Sequence, residues 1–365
     1  MKKITVRSSQ GAYSVYIGRG ILSHTGRYLK QMRQGRKVMV VTQKKIARYY
    51  LGDLKKSLRR AGFRVTVTQV PDGERAKSRN TLFSLYHSLL KNDFERDDVL
   101  VALGGGVVGD VVGFAASSYL RGIRWVNVAT TLLAQVDSSI GGKTGINLDE
   151  GKNLVGAFYP PKFVISDVRT LTTLPDRQLR ASLAEVVKYG VIRDAALFRF
   201  LERRAEAVLR REQSSLETIV RASVRIKANV VERDEFEKSG ERMILNYGHT
   251  IGHALEKVLG YQRLVHGEAV AVGMVAAAHL AEKMGMISRQ QEQRQNELIK
   301  KLRLSGHLNG RRLKCRHIVA AMMRDKKKKA GKLRFVLPLN IGKVAIRSDV
   351  PLGLVRKALL TVGAV

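Results

Sequence analysis

Hydrophobic residues in the first half of the chain follow two repeating patterns. Short β-type runs lie at 38–42, 65–70, 99–105 and 125–131, and amphipathic stretches of helix length lie between the earlier of them. Strands that alternate with helices are typical of a mostly parallel sheet with helices on both faces. Ligands bind beyond the carboxyl ends of the strands in such sheets. The glycine-rich stretch 104–109 follows one of these ends.

After about residue 175 the apolar positions follow a helical period instead. The clearest examples lie at 174–192, 216–236 and 267–285. The two patterns predict an α/β domain over 1–174, followed by a mainly α-helical domain over 175–365.

The composition is that of a globular protein, since 365 residues with 44% apolar content suffice for two domains. No stretch approaches the roughly 20 uninterrupted apolar residues of a membrane span, and the first residues lack the apolar block of a secretory signal. We therefore expect a cytoplasmic protein that does not bind membranes. Cys315 is the only cysteine, so a metal would have to bind histidine and carboxylate side chains.

The net charge is +35, from 66 lysines and arginines against 31 aspartates and glutamates. A charge of this size attracts polyanions without specificity. The basic residues are spread along the whole chain, apart from a run at 326–329, whereas a nucleic-acid site needs clustering. The distribution favours a solvated basic surface over specific nucleic-acid binding.

Two glycine-rich segments are candidates for phosphate binding. In GGGVVGD at 104–110, the glycines would let amides at a helix start face phosphate oxygens. The spacing is not GxGxxG, so a packing turn is the alternative. The segment 137–161 is too rich in glycine and polar residues for a regular element, and it contains Lys143, Lys152 and Asn153. The segment lacks the residue spacing of a Walker A loop, which argues against ATP hydrolysis. Its lysines favour anion binding over a solvated loop.

Three side chains that can bind a divalent metal lie far apart in the sequence: Glu185, His249 and His266. One carboxylate and two imidazoles suit a metal with open coordination positions. Lys188 lies three residues after Glu185, on the same helix face. His253 lies four residues after His249, also on one face. The alternatives are an ion pair within the first helix and hydrogen-bonded core histidines in the others.

Seven strings of residues together resemble the 3-dehydroquinate synthase family, of the sugar-phosphate cyclase group. They occur in the family's order across most of the chain. The strings are DGERAK at 72–77, GGGVVGDVVGFAASSYLRGI at 104–123, TTLLAQVDSSIGGKTGIN at 130–147, GKNLVGAFYPP at 151–161, LAEVVKYG at 183–190, NYGHTIGHALE at 246–256 and HGEAVAVGM at 266–274.

The resemblance implies that the domain over 1–174 is Rossmann-like and binds NAD, and that the domain over 175–365 binds metal and substrate. It implies Zn²⁺ or Co²⁺ as the metal, with Glu185, His249 and His266 as the ligands. The NAD contacts would come from Asp72, Gly73, Glu74, Lys77, Gly104, Gly105, Gly106, Val107, Asp110, Thr130, Thr131, Lys143, Lys152, Thr170, Leu171, Thr172 and Thr173.

The implied substrate is a sugar acid phosphate, 3-deoxy-D-arabino-heptulosonate 7-phosphate, and the implied product is 3-dehydroquinate of the shikimate pathway. By the same resemblance, Lys143, Lys188, Asn246 and His253 are catalytic. Arg121 is similar to an arginine that reaches across a dimer interface, which implies a homodimer. The substrate-binding residues would be Arg121, Asp137, Lys143, Asn153, Lys188, Arg242, Asn246, His253 and Lys326.

The implied enzyme is a carbon–oxygen lyase that oxidises C5 transiently with NAD, eliminates phosphate, reduces C5 again, opens the ring and closes it by an aldol step. Alternatives are a related cyclase such as 2-deoxy-scyllo-inosose synthase, a metal-dependent polyol dehydrogenase, and a basic nucleic-acid-binding protein.

The chain departs from the family pattern at Gln43. Many relatives have an acidic residue at about this position, and that acid holds the adenosine ribose. An amide can hydrogen-bond the hydroxyl without repelling a 2′-phosphate, so the choice between NAD and NADP stays open.

Overall fold

The computed structural model describes most of the chain. No helix within the described ranges has both the length and the apolar character to cross a membrane. The side chain of Lys326, a predicted substrate residue, lies outside the described residues. The described ranges are 1–32, 35–260, 263–327 and 333–365, without the side chains of 325–327.

The chain folds into two compact units, and neither unit is continuous in sequence. The first unit comprises residues 1–174 and 216–236. The second comprises 175–215 and 237–365. The first unit therefore includes a late helical segment, although the sequence pattern predicts that this segment belongs to the helical domain.

The first unit contains a seven-stranded sheet in the order β1-β2-β9-β6-β5-β3-β4. All neighbouring strands are parallel except β1 and β2. The mostly parallel sheet predicted from the alternating pattern is confirmed. The strands are β1 (Lys2–Ser8), β2 (Gly11–Gly18), β3 (Lys37–Gln43), β4 (Arg64–Val70), β5 (Val99–Gly104), β6 (Arg124–Ala129) and β9 (Phe163–Asp167).

Helices cover both faces of this sheet because the side chains of β3 alternate between two apolar cores. Val38 and Val40 belong to one core, with residues of α1 (Thr25–Gln31) and α2 (Lys44–Arg60). Met39 and Val41 belong to the other, with residues of α3 (Arg79–Lys91) and α4 (Gly106–Ser118). Burial on both faces explains why residues 38–41 of β3 and 99–103 of β5 are apolar without interruption. The helical residues in the two cores include Leu29, Leu54, Leu58, Leu85, Leu89, Val111 and Val112.

The segment expected to lack regular structure forms an antiparallel hairpin, so that prediction was wrong. Its strands are β7 (Lys143–Leu148) and β8 (Gly151–Phe158). The glycines serve close packing: a Cβ on Gly156 would lie 1.9 Å from the carbonyl oxygen of Thr144. A Cβ on Gly113 of α4 would lie 2.4 Å from the Thr144 methyl group. Glycine here reflects backbones in contact, whereas composition alone suggests a loop.

The second unit is mainly helical, as the periodicity predicted. Its helices α5, α8 and α9 approach one another closely because small residues lie at their contacts. A Cβ on Gly267 would lie 1.8 Å from the carbonyl oxygen of Ala181, and one on Gly273 would lie 1.9 Å from that of Gly248. The elements are α5 (Asp176–Ile192), α6 (Ala195–Leu209), α8 (His249–Val258), α9 (His266–Lys283), α10 (Arg289–Lys301), α11 (Cys315–Lys327), β10 (Phe335–Asn340), β11 (Lys343–Arg347) and α12 (Leu352–Thr361), while α7 (Gln213–Arg233) belongs to both units.

Candidate functional site

The first candidate site, called here the glycine edge, comprises residues 104–109 and Gln43 at the carboxyl ends of β5 and β3. Helix α4 begins at Gly106, and its first turn carries no acidic residue. A Cβ on Gly104 would lie 2.6 Å from a methyl group of Val108, and one on Gly106 would lie 2.7 Å from the Ser138 hydroxyl. Glycine is therefore required for the close packing of this turn. The free amides at the helix start can hydrogen-bond an anion such as a pyrophosphate.

The topology of the sheet also indicates a ligand crevice at the glycine edge. Strand β3 lies between β4 and β5, so the chain leaves β3 for one side and returns to the other. Open α/β sheets bind ligands at such a switch point. The register pairs Thr42 with Leu103, which places Gln43 beside Gly104. The Gln43 amide donates a hydrogen bond to the carbonyl oxygen of Pro71, at 2.8 Å.

A buried lysine of the first unit, Lys77, joins two other predicted site residues. The Lys77 ammonium donates to a carboxylate oxygen of Asp110 at 2.6 Å, and it also contacts the side-chain oxygen of Asn153. Burial raises the pKa of Asp110 to about 6, although Lys77 opposes the rise. The structure thus brings two predicted cofactor residues together with a predicted substrate residue.

Other predicted residues of the first unit lie in the turns around this edge. Thr130 donates its backbone N–H to the carbonyl oxygen of Gly104, and a Cβ on Gly105 would lie 3.0 Å from the Thr131 methyl group. The segment Val168–Thr173 forms a 3₁₀-helix that contains Thr170, Leu171, Thr172 and Thr173. Asp72 and Gly73 follow β4, Glu74 begins the next 3₁₀ turn, and Val107 lies in the first turn of α4.

The predicted lysines of the hairpin lie on different strands. Lys143 begins β7, exposed to solvent, with its ammonium 5.9 Å from the ring centre of Phe158. Lys152 lies in β8, next to Asn153. Asn153 has a left-handed backbone, with φ of 56°. Such a conformation is uncommon for a residue with a Cβ and is often found at functional sites.

Lys227 is a site candidate that sequence reasoning missed. It lies on α7, is buried, and donates to both the carbonyl oxygen and a carboxylate oxygen of Asp137, each at 2.7 Å. The sequence does contain a signal for it, because Lys227 lies in the same helical row as Val220, Val224 and Val231, which are buried. A lysine in an apolar row requires a partner, and here the partner is a predicted substrate residue.

The second candidate site, called here the metal cluster, comprises Glu185, His249 and His266 in the second unit. Glu185 is fully buried on α5, while His249 and His266 are the first residues of α8 and α9. The Nε2 atoms of the two histidines lie 3.3 Å and 3.4 Å from the same Glu185 oxygen. Three residues that are far apart in the sequence therefore converge, as the metal hypothesis requires.

Hydrogen bonds on the far side of each imidazole determine which atoms face Glu185. Nδ1 of His249 lies 3.0 Å from the carbonyl oxygen of Tyr247, and Nδ1 of His266 lies 3.1 Å from a carboxylate oxygen of Glu256. Both partners only accept, so each Nδ1 donates. In the neutral rings the lone pairs are then on Nε2 and face the carboxylate. Two nitrogen lone pairs and a carboxylate that face one another in this way suit a bound divalent cation.

The polar atoms of Glu185 support the same interpretation. Both carboxylate oxygens are buried, and among the described residues neither accepts a hydrogen bond of normal geometry, although the Lys188 ammonium contacts one of them. Burial alone would raise the pKa of Glu185, but Lys188 and His249 hold it well below its usual range. Burial alone would lower the pKa of His266, but Glu185 and Glu256 raise it to about 10. The donor set fits a divalent metal, which would displace a proton from His266.

The remaining predicted residues of the second unit lie on neighbouring elements. The His253 ring is exposed on α8, with its centre 5.2 Å from that of His249. The 3₁₀-helix Glu241–Asn246 carries Arg242, which is buried, and ends at the exposed Asn246. Arg242 forms an ion pair with Glu237, at 3.5 Å.

Two family models cover most of the chain. One, described as 3-dehydroquinate synthase N-terminal, matches residues 67–181, and one described as 3-dehydroquinate synthase C-terminal matches residues 182–328. The chain is also 45% identical over 350 residues to 3-dehydroquinate synthase of Desulforamulus reducens, which covers 96% of this chain and 97% of that one. The chain belongs to the 3-dehydroquinate synthase family. The resemblance found from the sequence strings is confirmed.

Solved structures similar to this member of the 3-dehydroquinate synthase family include two other synthases. One is 2-epi-5-epi-valiolone synthase from Streptomyces hygroscopicus subsp. jinggangensis, with NAD⁺ and Zn²⁺ bound; it is 28% identical, covers 96% of both chains and has a TM-score of 0.87. The other is 2-deoxy-scyllo-inosose synthase complexed with carbaglucose-6-phosphate, NAD⁺ and Co²⁺; it is 28% identical, covers 98% of this chain and 99% of that one, and has a TM-score of 0.86. The predicted fold class, Rossmann-like and then helical, is confirmed.

Proposed function

We propose that the protein converts 3-deoxy-D-arabino-heptulosonate 7-phosphate to 3-dehydroquinate and phosphate, as an NAD- and metal-dependent carbon–oxygen lyase. The observation that carries the proposal is the convergence of Glu185, His249 and His266 in a chain 45% identical to a 3-dehydroquinate synthase over nearly its whole length. Identity to the 2-deoxy-scyllo-inosose synthase is lower, at 28%, which favours the first function over that alternative.

We assign the metal, Zn²⁺ or Co²⁺, to the metal cluster. One of the two similar solved synthases contains Zn²⁺ and the other contains Co²⁺. The oxygen and nitrogen atoms of the metal cluster suit both ions. A bound divalent ion would polarise a substrate hydroxyl and lower its pKa. Within the chain, Glu185 supplies the negative charge and the two histidines supply neutral nitrogen donors.

We assign NAD to the glycine edge. The α4 amides would bind its pyrophosphate, and the adenosine would lie towards Gln43, as in other sheets with a switch point between two strands. Lys77 and Asp110 would contact the cofactor, together with Thr130, Thr131 and the segment Thr170–Thr173. Bound NAD supplies a reversible hydride acceptor, so no net NADH accumulates. The domain over 1–174 would accordingly bind the cofactor, and the domain over 175–365 the metal and substrate.

The substrate carries a carboxylate and a phosphate, and several cations of the chain can bind them. Arg242 and Lys188 are buried, so their charges are less screened than those of surface lysines. Lys143 and Lys152 add two more. Lys227 would hold the carboxylate of Asp137, a predicted substrate-binding residue, in place.

The proposed reaction needs groups that hold and move protons. Oxidation at C5 makes the C6 proton acidic, phosphate then leaves C7, and reduction at C5 precedes ring opening and the aldol closure. Lys188 lies one turn from Glu185, and His253 lies one turn from His249. We assign proton transfer and substrate positioning to these two side chains and to Asn246.

Lys188→Ala and His253→Ala test that assignment. Each should lower turnover by about 10²-fold or more, the usual range for a proton-transfer group, while Lys283→Ala on the exposed side of α9 should not. The measurement is phosphate release at saturating substrate. Rates near wild type in either variant would remove that residue from the mechanism.

The whole proposal is tested by phosphate release from the heptulosonate phosphate, with and without NAD and after chelation of metal. We expect release that requires both, without net NADH. Release only from glucose 6-phosphate would indicate 2-deoxy-scyllo-inosose synthase activity. Accumulating NADH would indicate a polyol dehydrogenase. Steep salt-dependent DNA binding without phosphate release would favour the nucleic-acid alternative.

We also propose a homodimer in which Arg121 acts on the site of the other subunit. The support is local: Leu120, Arg121 and Gly122 have φ values of 50°, 63° and 129°, an unusual run of positive angles, and Leu120 is 40% exposed. Such strain often accompanies function. If the proposal is right, mixing inactive Arg121→Ala and Lys188→Ala subunits restores about one quarter of wild-type activity, because half of the random dimers hold one complete site. No recovery after subunit exchange would contradict it.

A further inference from the structure

The two imidazoles of the metal cluster are oriented by different kinds of acceptor. His249 donates to the main-chain carbonyl of Tyr247, at 3.0 Å. His266 donates to the side chain of Glu256, at 3.1 Å. A main-chain carbonyl is supplied by the fold whatever residue carries it, whereas a carboxylate depends on one residue. The orientation of His266 can therefore be lost by a single substitution.

Glu256 is buried, which is unfavourable for a carboxylate that has no hydrogen-bond partner. It is 6% exposed on α8, beside the buried Ala254 and Leu255. Burying an ionised carboxylate is costly without a hydrogen-bonded partner. The imidazole of His266 provides one, and its Nε2 on the opposite side of the ring faces Glu185 at 3.4 Å.

We propose that Glu256 is a positioning residue of the metal centre. It accepts the Nδ1 hydrogen of His266, which holds the ring in one tautomer and directs the Nε2 lone pair towards Glu185 and His249. The inference rests on the proposed function, since it presumes that the metal cluster binds a metal. Outer partners of this kind make the imidazole a better donor, and their loss typically lowers metal affinity about 10- to 100-fold.

A second metal between His253, Glu256 and His266 is the competing interpretation, because their ligand atoms lie within 4.8 Å of one another. The geometry favours the hydrogen bond. A separation of 3.1 Å between Nδ1 and the carboxylate oxygen is normal for N–H···O. A second metal would require both nitrogens of His266 to be deprotonated, which is unfavourable for one imidazole.

The experiment uses the full chain freed of metal, as wild type, Glu256→Gln, Glu256→Ala and a matched control. The control is Glu292→Gln, because Glu292 accepts a hydrogen bond from Nδ1 of His279 at 3.0 Å. It removes the same charge from the same kind of pair, elsewhere in the second unit. Glu256→Gln keeps the side-chain volume, so it stays informative if the alanine variant does not fold.

Zinc affinity is measured by competition with a chromophoric chelator, and bound zinc per chain by elemental analysis. We expect one zinc per wild-type chain, a Kd about 10- to 100-fold weaker for Glu256→Ala, a smaller weakening for Glu256→Gln, and a Kd within about twofold of wild type for Glu292→Gln. The visible spectrum of the cobalt-loaded Glu256 variants should also change, because the ligand field of His266 changes.

Three other results would contradict either the positioning role of Glu256 or the metal centre itself. Wild-type zinc affinity and an unchanged cobalt spectrum in both Glu256 variants would overturn the positioning role while leaving the metal cluster intact. Two zinc ions per wild-type chain, with one lost in Glu256→Ala, would make Glu256 a ligand. No zinc binding by the wild type would overturn the proposed metal centre, and the positioning role with it.

Discussion

The glycine edge and the metal cluster are built from different parts of the chain. The glycine edge consists of main-chain amides in a turn that needs glycine, because a Cβ at Gly104, Gly105 or Gly106 would lie 2.6 Å, 3.0 Å or 2.7 Å from a neighbouring side chain. The metal cluster consists of side chains from three helices. The first site is specified by the space that glycine leaves, and the second by atoms that must be present and oriented. The two sites should therefore fail in different ways.

The difference extends to the support around each site. The close packing at the glycine edge places each glycine against a neighbouring side chain: Val108 against Gly104, Thr131 against Gly105 and Ser138 against Gly106. The metal cluster depends on partners such as Tyr247 and Glu256, which orient the histidines. Substitutions can hence damage the cluster without touching a ligand, whereas the edge is damaged mainly by added volume.

The largest effect that separates the sites is expected from Glu185→Gln. The amide removes the only negative charge of the ligand set and leaves the buried Lys188 ammonium without its counter-ion. Metal retention should be lost, and turnover should fall about 10³-fold or more, because metal polarisation supplies several kcal/mol. Metal content and phosphate release measure this.

The same variant tests the independence of the two sites. Its affinity for NAD⁺, measured by calorimetry on metal-free protein, should stay within about twofold of wild type, since the glycine edge contains no atom of the metal cluster. A large loss of NAD⁺ affinity would show that the two sites are coupled.

A smaller effect is expected from Gly104→Ala. The new Cβ would lie 2.6 Å from a Val108 methyl group, so the turn must shift, at a cost of about 1–3 kcal/mol. We expect NAD⁺ affinity to fall about 10- to 100-fold, because that energy distorts the amides that bind the anion. Metal content should not change.

Gly52→Ala is the matched control, since a Cβ at Gly52 on α2 meets no atom within 4 Å. It should raise the free energy of unfolding by up to about 1 kcal/mol through helix propensity and leave NAD⁺ affinity unchanged. Equal NAD⁺ affinity in both alanine variants would show that the glycine edge is not the cofactor site.

Gln43→Asp should have a still smaller effect, on cofactor choice. Gln43 lies beside Gly104 without a charge, so it does not repel a 2′-phosphate. A carboxylate there should raise the ratio of NADP⁺ to NAD⁺ dissociation constants about tenfold, since like charges in a binding site are unfavourable. Titration of both cofactors measures the ratio, and an unchanged ratio would place the adenosine ribose elsewhere.

An effect of similar size is a pH dependence of stability that arises from Asp110. Because burial raises its pKa to about 6, the folded state binds a proton more readily than the unfolded state. The stability contribution of this group is therefore fully present below about pH 4 and is lost as the pH rises through 6. Relative to Asp110→Asn, wild type should lose about 1–2 kcal/mol between about pH 4.5 and 7.5. Denaturant unfolding at the two pH values measures it, and parallel pH profiles would contradict it.

The parts of the fold with strong local patterns could be predicted from the sequence. The four predicted strands correspond to β3, β4, β5 and β6, and long periodic stretches correspond to α5, α7 and α9. The hairpin β7–β8 could not be predicted, because its glycines serve packing against Thr144 and α4, which only the tertiary structure shows. Glycine composition alone does not distinguish a turn from a close contact.

The candidate site divides in the same way. Glu185, His249 and His266 could be named from their chemistry and the family strings, and they do converge. Lys227 and Glu256 were missed because their importance depends on partners distant in sequence, Asp137 for the first and His266 for the second. A buried charge in an apolar helix row is the signal that finds such residues.

Helix α7 has a consequence for the order in which the protein is made. Leu216, Val220 and Val224 are fully buried and belong to the first unit, although the segment 175–215 of the second unit precedes them. A ribosome must therefore synthesise part of the second unit before the first can be completed. A fragment that ends at residue 174 would lack this helix and its Lys227, so separate expression of the first unit requires α7 to be supplied as well.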